Sequence, residues 1–219
     1  MNMFNSSKRI KFVSLLSDGI DSPIATYLMM KKEFDCIALT FCNIQDEAPK
    51  YQDKILKIAR KIKTLTQKKI SVVFAQHTET LDYFIKKGSR KLTCIMCKRY
   101  MLRAARLLAI EKQASFIVNG DILGEQASQT LDNLVEIQNI VDDIPIIRPL
   151  IGFEKLDVIH LSQDVGLFPL SSLPAPSCNY YPRYPETHAK TKDILNSELN
   201  INYDKIASKI LSKSKLIEI

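Results

Sequence analysis

The chain has 219 residues, 46% of them hydrophobic and 25% charged, with 31 Lys and Arg against 24 Asp and Glu for a net charge of +7. That balance fits one soluble globular domain with a real core and excludes disordered, collagen-like and low-complexity classes. No apolar run approaches the ~18 residues of a membrane span. The start MNMFNSSKRIKF has no apolar leader core, so the expectation is a cytoplasmic protein with no membrane partner. An odd set of five cysteines, Cys36, Cys42, Cys94, Cys97 and Cys178, points to reduced thiols in the same compartment.

In chain order, Lys11 to Leu16 is a short apolar run that predicts a buried strand, broken at SDGIDS. A helix follows from Pro23, a residue tolerated in a first turn. Cys36 to Phe41 predicts a second strand. Gln52 to Leu65 has apolar residues at helical spacing with Lys between them. Ser71 to Gln76 predicts a third strand, and helices are expected over Glu79–Lys87 and Lys98–Glu111. Ser115 to Asp121 reads as a fourth strand, Gln126–Ile140 as a helix, Pro145–Leu150 as a fifth strand and Leu156–Val165 as a helix. Leu167 to Pro185 holds five of the nine Pro and reads as an irregular, exposed loop. The polar remainder predicts one or two helices. Strands alternating with helices predict an α/β fold, a parallel twisted sheet with helices on both faces. Ligands of such sheets gather at the carboxyl ends of the strands.

The turn Leu15 to Ser22, LLSDGIDS, carries a strand into a helix N-terminus, where backbone N–H groups and the helix dipole favour a phosphate. Ser17 and Ser22 can donate to phosphate oxygens, Gly19 permits close backbone approach, and Asp21 can hold Mg2+ or orient the turn. An ordinary capped strand-to-helix turn is the competing reading. Cys94 and Cys97, three apart, can share a metal or cluster that a distant Cys178 completes. Zinc usually takes four ligands, and no His stands at ligand spacing, so three thiolates and an open position suit a [4Fe–4S] cluster better. A redox Cys pair with Cys178 as persulfide carrier is the rival. Two basic segments, Lys50–Lys69 and Lys86–Arg106, each hold eight Lys or Arg and together one Asp. Arg99, Arg103 and Arg106 are spaced to line one helix face toward a polyanion. Solvated helix faces are the plainer alternative.

SDGIDS resembles the SGGxDS loop of the PP-loop ATP pyrophosphatases, with Asp18 where that family usually has Gly. Thr93–Ala109 (TCIMCKRYMLRAARLLA), Ile117–Leu134 (IVNGDILGEQASQTLDNL) and Arg148–Lys155 (RPLIGFEK) follow in that order. Together they are similar to the catalytic domain of the tRNA 4-thiouridine synthetases, the tRNA sulfurtransferases. The match runs from about Lys11 to Pro185. It implies a PP-loop domain over 1–185 with a basic helical tail over 186–219, and neither the family's THUMP domain nor its rhodanese domain. It implies ATP as cosubstrate, with Leu15, Leu16, Thr40, Phe41, Lys98, Gly120 and Gln129 as nucleotide contacts beside the loop residues. Asp21 and Lys155 take catalytic roles, with Lys155 countering charge on the α-phosphate. Cys178 falls where the family carries its sulfur-bearing Cys. The implied partners are tRNA, a sulfide or persulfide donor, a separate tRNA-docking protein or the basic segments, with a homodimer among the assemblies left open. The expected activity is ATP-dependent 4-thiouridine formation. The alternatives are adenylation of a small molecule and a non-catalytic, metal-stapled nucleic-acid-binding module.

Overall fold

The computed structural model describes residues 9–42, 48–174, 178–199 and 201–219. The stretch 1–8, read for a leader, and residues 175–177 of the Pro-rich segment lie outside them. Five strands run parallel: β1 (Lys11–Leu15), β2 (Asp35–Cys42), β3 (Ile70–Gln76), β4 (Phe116–Val118) and β5 (Ile146–Ile147). A sixth, β6 (Lys215–Glu218), pairs antiparallel with β3, and the order is β5-β4-β1-β2-β3-β6.

The strands are apolar along their length because both faces of the sheet are covered. Alternation in β1 sorts the layers. Phe12 joins Ile24, Ile55, Ile58 and Val158 under α1 (Asp21–Met30), α2 (Ala48–Thr66), α6 (Lys155–Asp164) and the short α7 (Phe168–Ser171). Val13 joins Phe84, Tyr100, Ile137, Ile194 and Tyr203 under α3 (Thr78–Lys87), α4 (Thr93–Lys112), α5 (Leu131–Gln138), α8 (Thr191–Glu198) and α9 (Tyr203–Ser212). No helix among the described residues is long and apolar enough to cross a membrane.

From β1 the chain builds toward β2 and β3 on one side, then returns to place β4 and β5 on the other. The order therefore switches between β1 and β4, the position at which open parallel sheets form a ligand crevice.

Several expectations are corrected. α4 begins at Thr93, not Lys98, because Ile95 and Met96 are buried and extend its inward face back over the Cys pair. β4 stops at Val118; Asn119 to Asp121 leave the ladder, and Asn119 Nδ2 donates to Asp121 Oδ2 at 2.8 Å. α5 begins at Leu131, capped by Thr130 Oγ1, and the turn before it is a 3-10 turn over Ala127–Gln129. The expected exposed loop at 167–185 contains α7, and Leu167 is fully buried. β6 has no counterpart in the sequence reading; it covers the β3 edge. Ala189, Ile194, Tyr203 and Ala207 join the core cluster that α4 covers.

The arginine face is also corrected. Arg99 is buried and donates to Glu198 at 2.7 and 2.8 Å, to Asn139 Oδ1 at 2.7 Å and to the Glu136 carbonyl. Arg103 reaches Glu198 at 3.2 Å and lies 4.0 Å over the Tyr203 ring. Arg106 forks onto Asp143 at 2.6 and 2.7 Å. These three cations fasten α4 to α5, α8 and α9; Arg99 and Arg103 meet the buried Glu198 carboxylate, whereas the Arg106–Asp143 pair lies at the surface. In the other basic segment Lys54 is buried, Lys57 pairs with Asp53 at 2.7 Å, and Lys68 pairs with Glu33.

Candidate functional site

A cleft of about 240 Å³ opens at the β1–β4 switch point, lined by the Leu15–Ser22 turn, α4 and the Asn119–Gln129 stretch. The turn is folded by its own hydroxyls. Ser22 Oγ accepts from Ser17 N at 2.8 Å and lies 2.8 Å from Ser17 Oγ; Ser17 Oγ in turn accepts from Gly19 N at 3.4 Å. No side chain caps α1, so its first N–H groups are left for a ligand at the turn.

Gly120 presses on this turn from just past the end of β4. A Cβ there would lie 2.6 Å from Ser22 N and 2.8 Å from the Asp21 carbonyl carbon, backbone atoms that cannot rotate away. At Gly19 the nearest atom to a Cβ is Ser17 Oγ, at 3.6 Å, so glycine there answers no crowding within the protein. Of the two glycines, Gly120 is the steric requirement.

Lys155, at the start of α6, places Nζ 2.6 and 2.8 Å from the two oxygens of Asp21 and 3.8 Å from Glu125. The two expected catalytic groups are thus one ion pair at the mouth of the turn. Lys98 Nζ donates to Asp121 Oδ1 at 2.7 Å, and Gln129 Nε2 donates to the same oxygen at 3.2 Å. Arg148 Nε reaches Asp121 Oδ2 at 3.4 Å. Burial alone would raise the Asp121 carboxyl; Lys98, Gln129 and Arg148 outweigh it and hold it below the usual carboxylate range. Gln129 is buried, and its Oε1 has no partner among the described residues. Asp121 went unnoticed in the sequence reading, although it stands inside the GD dipeptide of GDILGEQASQT.

Leu15 lines the cleft, whereas Leu16 is core. Thr40 and Phe41 lie at the carboxyl end of β2 but not on the cleft wall. Thr40 Oγ1 is 2.9 Å from Tyr51 Oη, and Phe41 packs edge-on against His77 and Tyr100. Asp18 meets Lys54, whose Nζ also donates to the carbonyls of Ser171 and Leu173 at 2.9 and 2.7 Å. That buried lysine, invisible among its neighbours in α2, neutralises the carboxylate at the unusual loop position.

The thiols lie on the other side of Lys98. Cys94 and Cys97 occupy the first turns of α4, and Cys178 is exposed. Burial raises the Cys94 and Cys97 thiols; the charge of Cys178 raises both further, while Lys98 lowers them. The three sulfurs are therefore electrostatic neighbours of one another and of the cleft. Cys97 Sγ lies 3.1 Å from Nε2 of His77, whose imidazole is stacked on Tyr100 and pushed down to about 3 by burial, hence neutral. Among the described residues no three side chains converge to hold a single metal ion. An all-thiol donor set is the ligand chemistry that an iron–sulfur cluster would need. Its separate irons take separate sulfurs, and coordination removes the thiol protons.

A family model described as thiamine biosynthesis protein (ThiI) matches residues 8–203. A probable tRNA sulfurtransferase of Methanobrevibacter smithii is 38% identical over 180 residues, 82% of this chain and 47% of that protein. One of Methanothermobacter thermautotrophicus is 34% identical over 207 residues, 93% of this chain and 52% of that protein. The chain spans about half the length of these curated relatives. A 4-thiouridine synthetase in complex with RNA and ATP superposes with a TM-score of 0.90 at 27% identity, over 95% of this chain and 55% of that one. An NMN synthetase from Francisella tularensis shares the fold, with a TM-score of 0.56 at 14% identity. With a family model spanning almost all of its length and relatives above 30% identity, the chain belongs to the ThiI family.

Proposed function

We propose that this chain is the ATP-using, sulfur-transferring part of a tRNA sulfurtransferase, forming 4-thiouridine. The observation that carries the reading is that α4 puts Lys98 in the cleft within one turn of Cys94 and Cys97, so a nucleotide site and a sulfur site share one helix. ATP lies in the cleft with its β- and γ-phosphates on Ser17, Ser22 and the free N–H groups of α1. Lys155 and Lys98 offset the charge that develops on the α-phosphate as O4 of the uridine attacks it. The O4–phosphorus bond forms, and the bond to the β-phosphate oxygen breaks. Pyrophosphate is held by the turn, and C4 is left carrying adenylate as a leaving group. Sulfur attacks C4 and AMP departs, so one difficult displacement becomes two easier ones.

Asp21 orients Lys155 in the free protein and takes Mg2+ when the nucleotide brings it. Cys94, Cys97 and Cys178 would hold the [4Fe–4S] cluster, which supplies an iron without a protein ligand to carry the incoming sulfur. The donor is sulfide, or a persulfide whose outer sulfur stays on C4 when a second thiol attacks the inner sulfur and closes a disulfide with it; the setting is the cytoplasm.

Asp21→Ala tests the reading. The side chain lies outside both core clusters, and its partner Lys155 is 32% exposed, so water can take over the freed cation and the variant stays folded. Pyrophosphate release from ATP in the presence of tRNA falls by at least about a hundredfold, the scale of losing one preorganised electrostatic group. Undiminished release from the folded variant rejects the adenylation.

A further inference from the structure

Arg99, Arg103 and Arg106 are consumed by internal pairs, which leaves open where a polyanion is met. Lys86, Lys87, Arg90 and Lys91, between the end of α3 and the start of α4, are all exposed, and no ion pair engages them among the described residues. The segment carrying Cys178 runs beside them: Glu186 N donates to the Lys91 carbonyl at 3.1 Å, and Tyr180 Oη donates to Asp82 Oδ1 at 2.9 Å. The carboxylates nearby are Asp82, Glu186 and Asp193, fewer than the four cations. Asp82 takes the Tyr180 hydroxyl, and Glu186 Oε1 accepts from the backbone of Thr187 and His188 at 3.1 and 3.0 Å.

Between those two anchors the chain displays Tyr181, 60% exposed, and Tyr184, 68% exposed, with the Arg183 guanidinium 5.3 Å from the Tyr184 ring. Pro182, itself buried, and Pro185 stiffen the backbone on either side of Arg183. Two tyrosine rings held in water on a pinned, proline-braced segment forgo burial that the fold offers to most of its other aromatics. Flat rings beside a guanidinium and flanked by cations are the combination that stacks unpaired nucleobases while neutralising their phosphates. A duplex offers phosphates but no free base faces.

We propose that the 178–185 segment, with the cations of 86–91, is a docking platform for single-stranded RNA, on which Tyr181 and Tyr184 stack unpaired bases next to Cys178. The inference rests on the RNA-modifying reading above and adds the surface and the strandedness of the substrate. It places the base-stacking rings three and six residues from the sulfur-bearing position, so a splayed-out uridine is handed to Cys178 and not left in a helix.

The test uses the full chain, a labelled oligouridylate and a blunt A-form RNA duplex of equal phosphate number, titrated at two salt concentrations. The wild type binds the single strand more tightly than the duplex. Tyr181→Ala with Tyr184→Ala weakens the single strand by roughly tenfold or more and the duplex by less than about twofold, as expected for lost base stacking. Tyr181→Phe with Tyr184→Phe keeps wild-type affinity, because the ring and not the hydroxyl stacks. Lys86→Glu with Lys87→Glu weakens both ligands and flattens the log–log salt slope by roughly 0.7 to 0.9 for each phosphate contact removed. All variants should melt with the wild type, since every substituted side chain is exposed. Equal single-strand affinity in the Ala and wild-type proteins overturns the platform, as does equal loss in the Ala and Phe pairs, or a wild type indifferent to strandedness. Pyrophosphate release with Asp21→Ala is scored separately: its persistence removes the adenylation reading and leaves the binding result standing, whereas loss of the platform leaves adenylation standing.

Discussion

The turn at 15–22 and the described stretches at 171–174 and 178–185 are held in opposite ways. The turn closes on itself: Ser17 and Ser22, five residues apart, satisfy each other and the intervening backbone. The later segment is held from outside, by Lys54 on the Ser171 and Leu173 carbonyls, by Asp82 on Tyr180 and by the Lys91 carbonyl on Glu186 N. A self-closed turn is rigid before a ligand arrives, as a pyrophosphate cradle must be. A stretch held by side chains and carbonyls from elsewhere in the chain depends on those partners for its place. Lys54 touches both, since its third donor goes to Asp18 in the turn.

Breaking the turn from beneath gives the largest effect. Gly120→Ala inserts a methyl 2.6 Å from Ser22 N, so the first turn of α1 must move. Overpacking of this kind costs about 1–3 kcal/mol of stability. Pyrophosphate release should fall by about two orders of magnitude, because the N–H groups of α1 no longer meet the phosphates. A Gly120→Ala protein with wild-type turnover would show that the turn adapts and is not preorganised.

Next in size is the link. Lys54→Met removes a nearly buried cation and leaves Asp18 and two carbonyls without their donor, a loss of about 3 kcal/mol in chemical denaturation. Adding Asp18→Gly should restore part of it, since the uncompensated carboxylate is then gone and only the carbonyls remain unpaired. A double variant no more stable than Lys54→Met alone would mean the ion pair does not join the two regions.

How much of this was legible follows from the same contrast. The alternation of strands and helices, the parallel sheet and the turn are local patterns, and the sequence announces each of them. The Asp21–Lys155 pair spans 134 residues: the turn itself points to Asp21, Lys155 comes only through the family resemblance, and nothing in the sequence pairs them. Lys54 looks like any lysine of a Lys-rich amphipathic helix until the Ser171 carbonyl arrives from 117 residues away. Arg99, Arg103 and Arg106 resemble a phosphate face for the matching reason: spacing shows that they share a face of α4, but their partners Glu198 and Asp143 come from elsewhere in the chain. β6 is four residues on an edge, too short for periodicity to mark, and it forms because β3 offers it unpaired backbone.

The smallest expected effect isolates one of the outside pins. Tyr180→Phe deletes the hydroxyl that donates to Asp82 Oδ1 at 2.9 Å and keeps the ring, which packs against the α4 side of the core. Both groups remain hydrated enough to find water, so the stability change should be about 1 kcal/mol or less. The local consequence is larger than the global one, because opening of a pinned segment is governed by its own few contacts and not by the whole fold. Trypsin should cut after Arg183 several-fold faster in Tyr180→Phe than in the wild type, while melting temperatures differ by only a few degrees. Cys178, two residues before the pin, should be alkylated faster in the same variant. Unchanged cleavage and alkylation would show that the buried Pro182 and the Glu186–Lys91 backbone bond hold the segment by themselves, and the contrast with the self-closed turn would then rest on Lys54 alone.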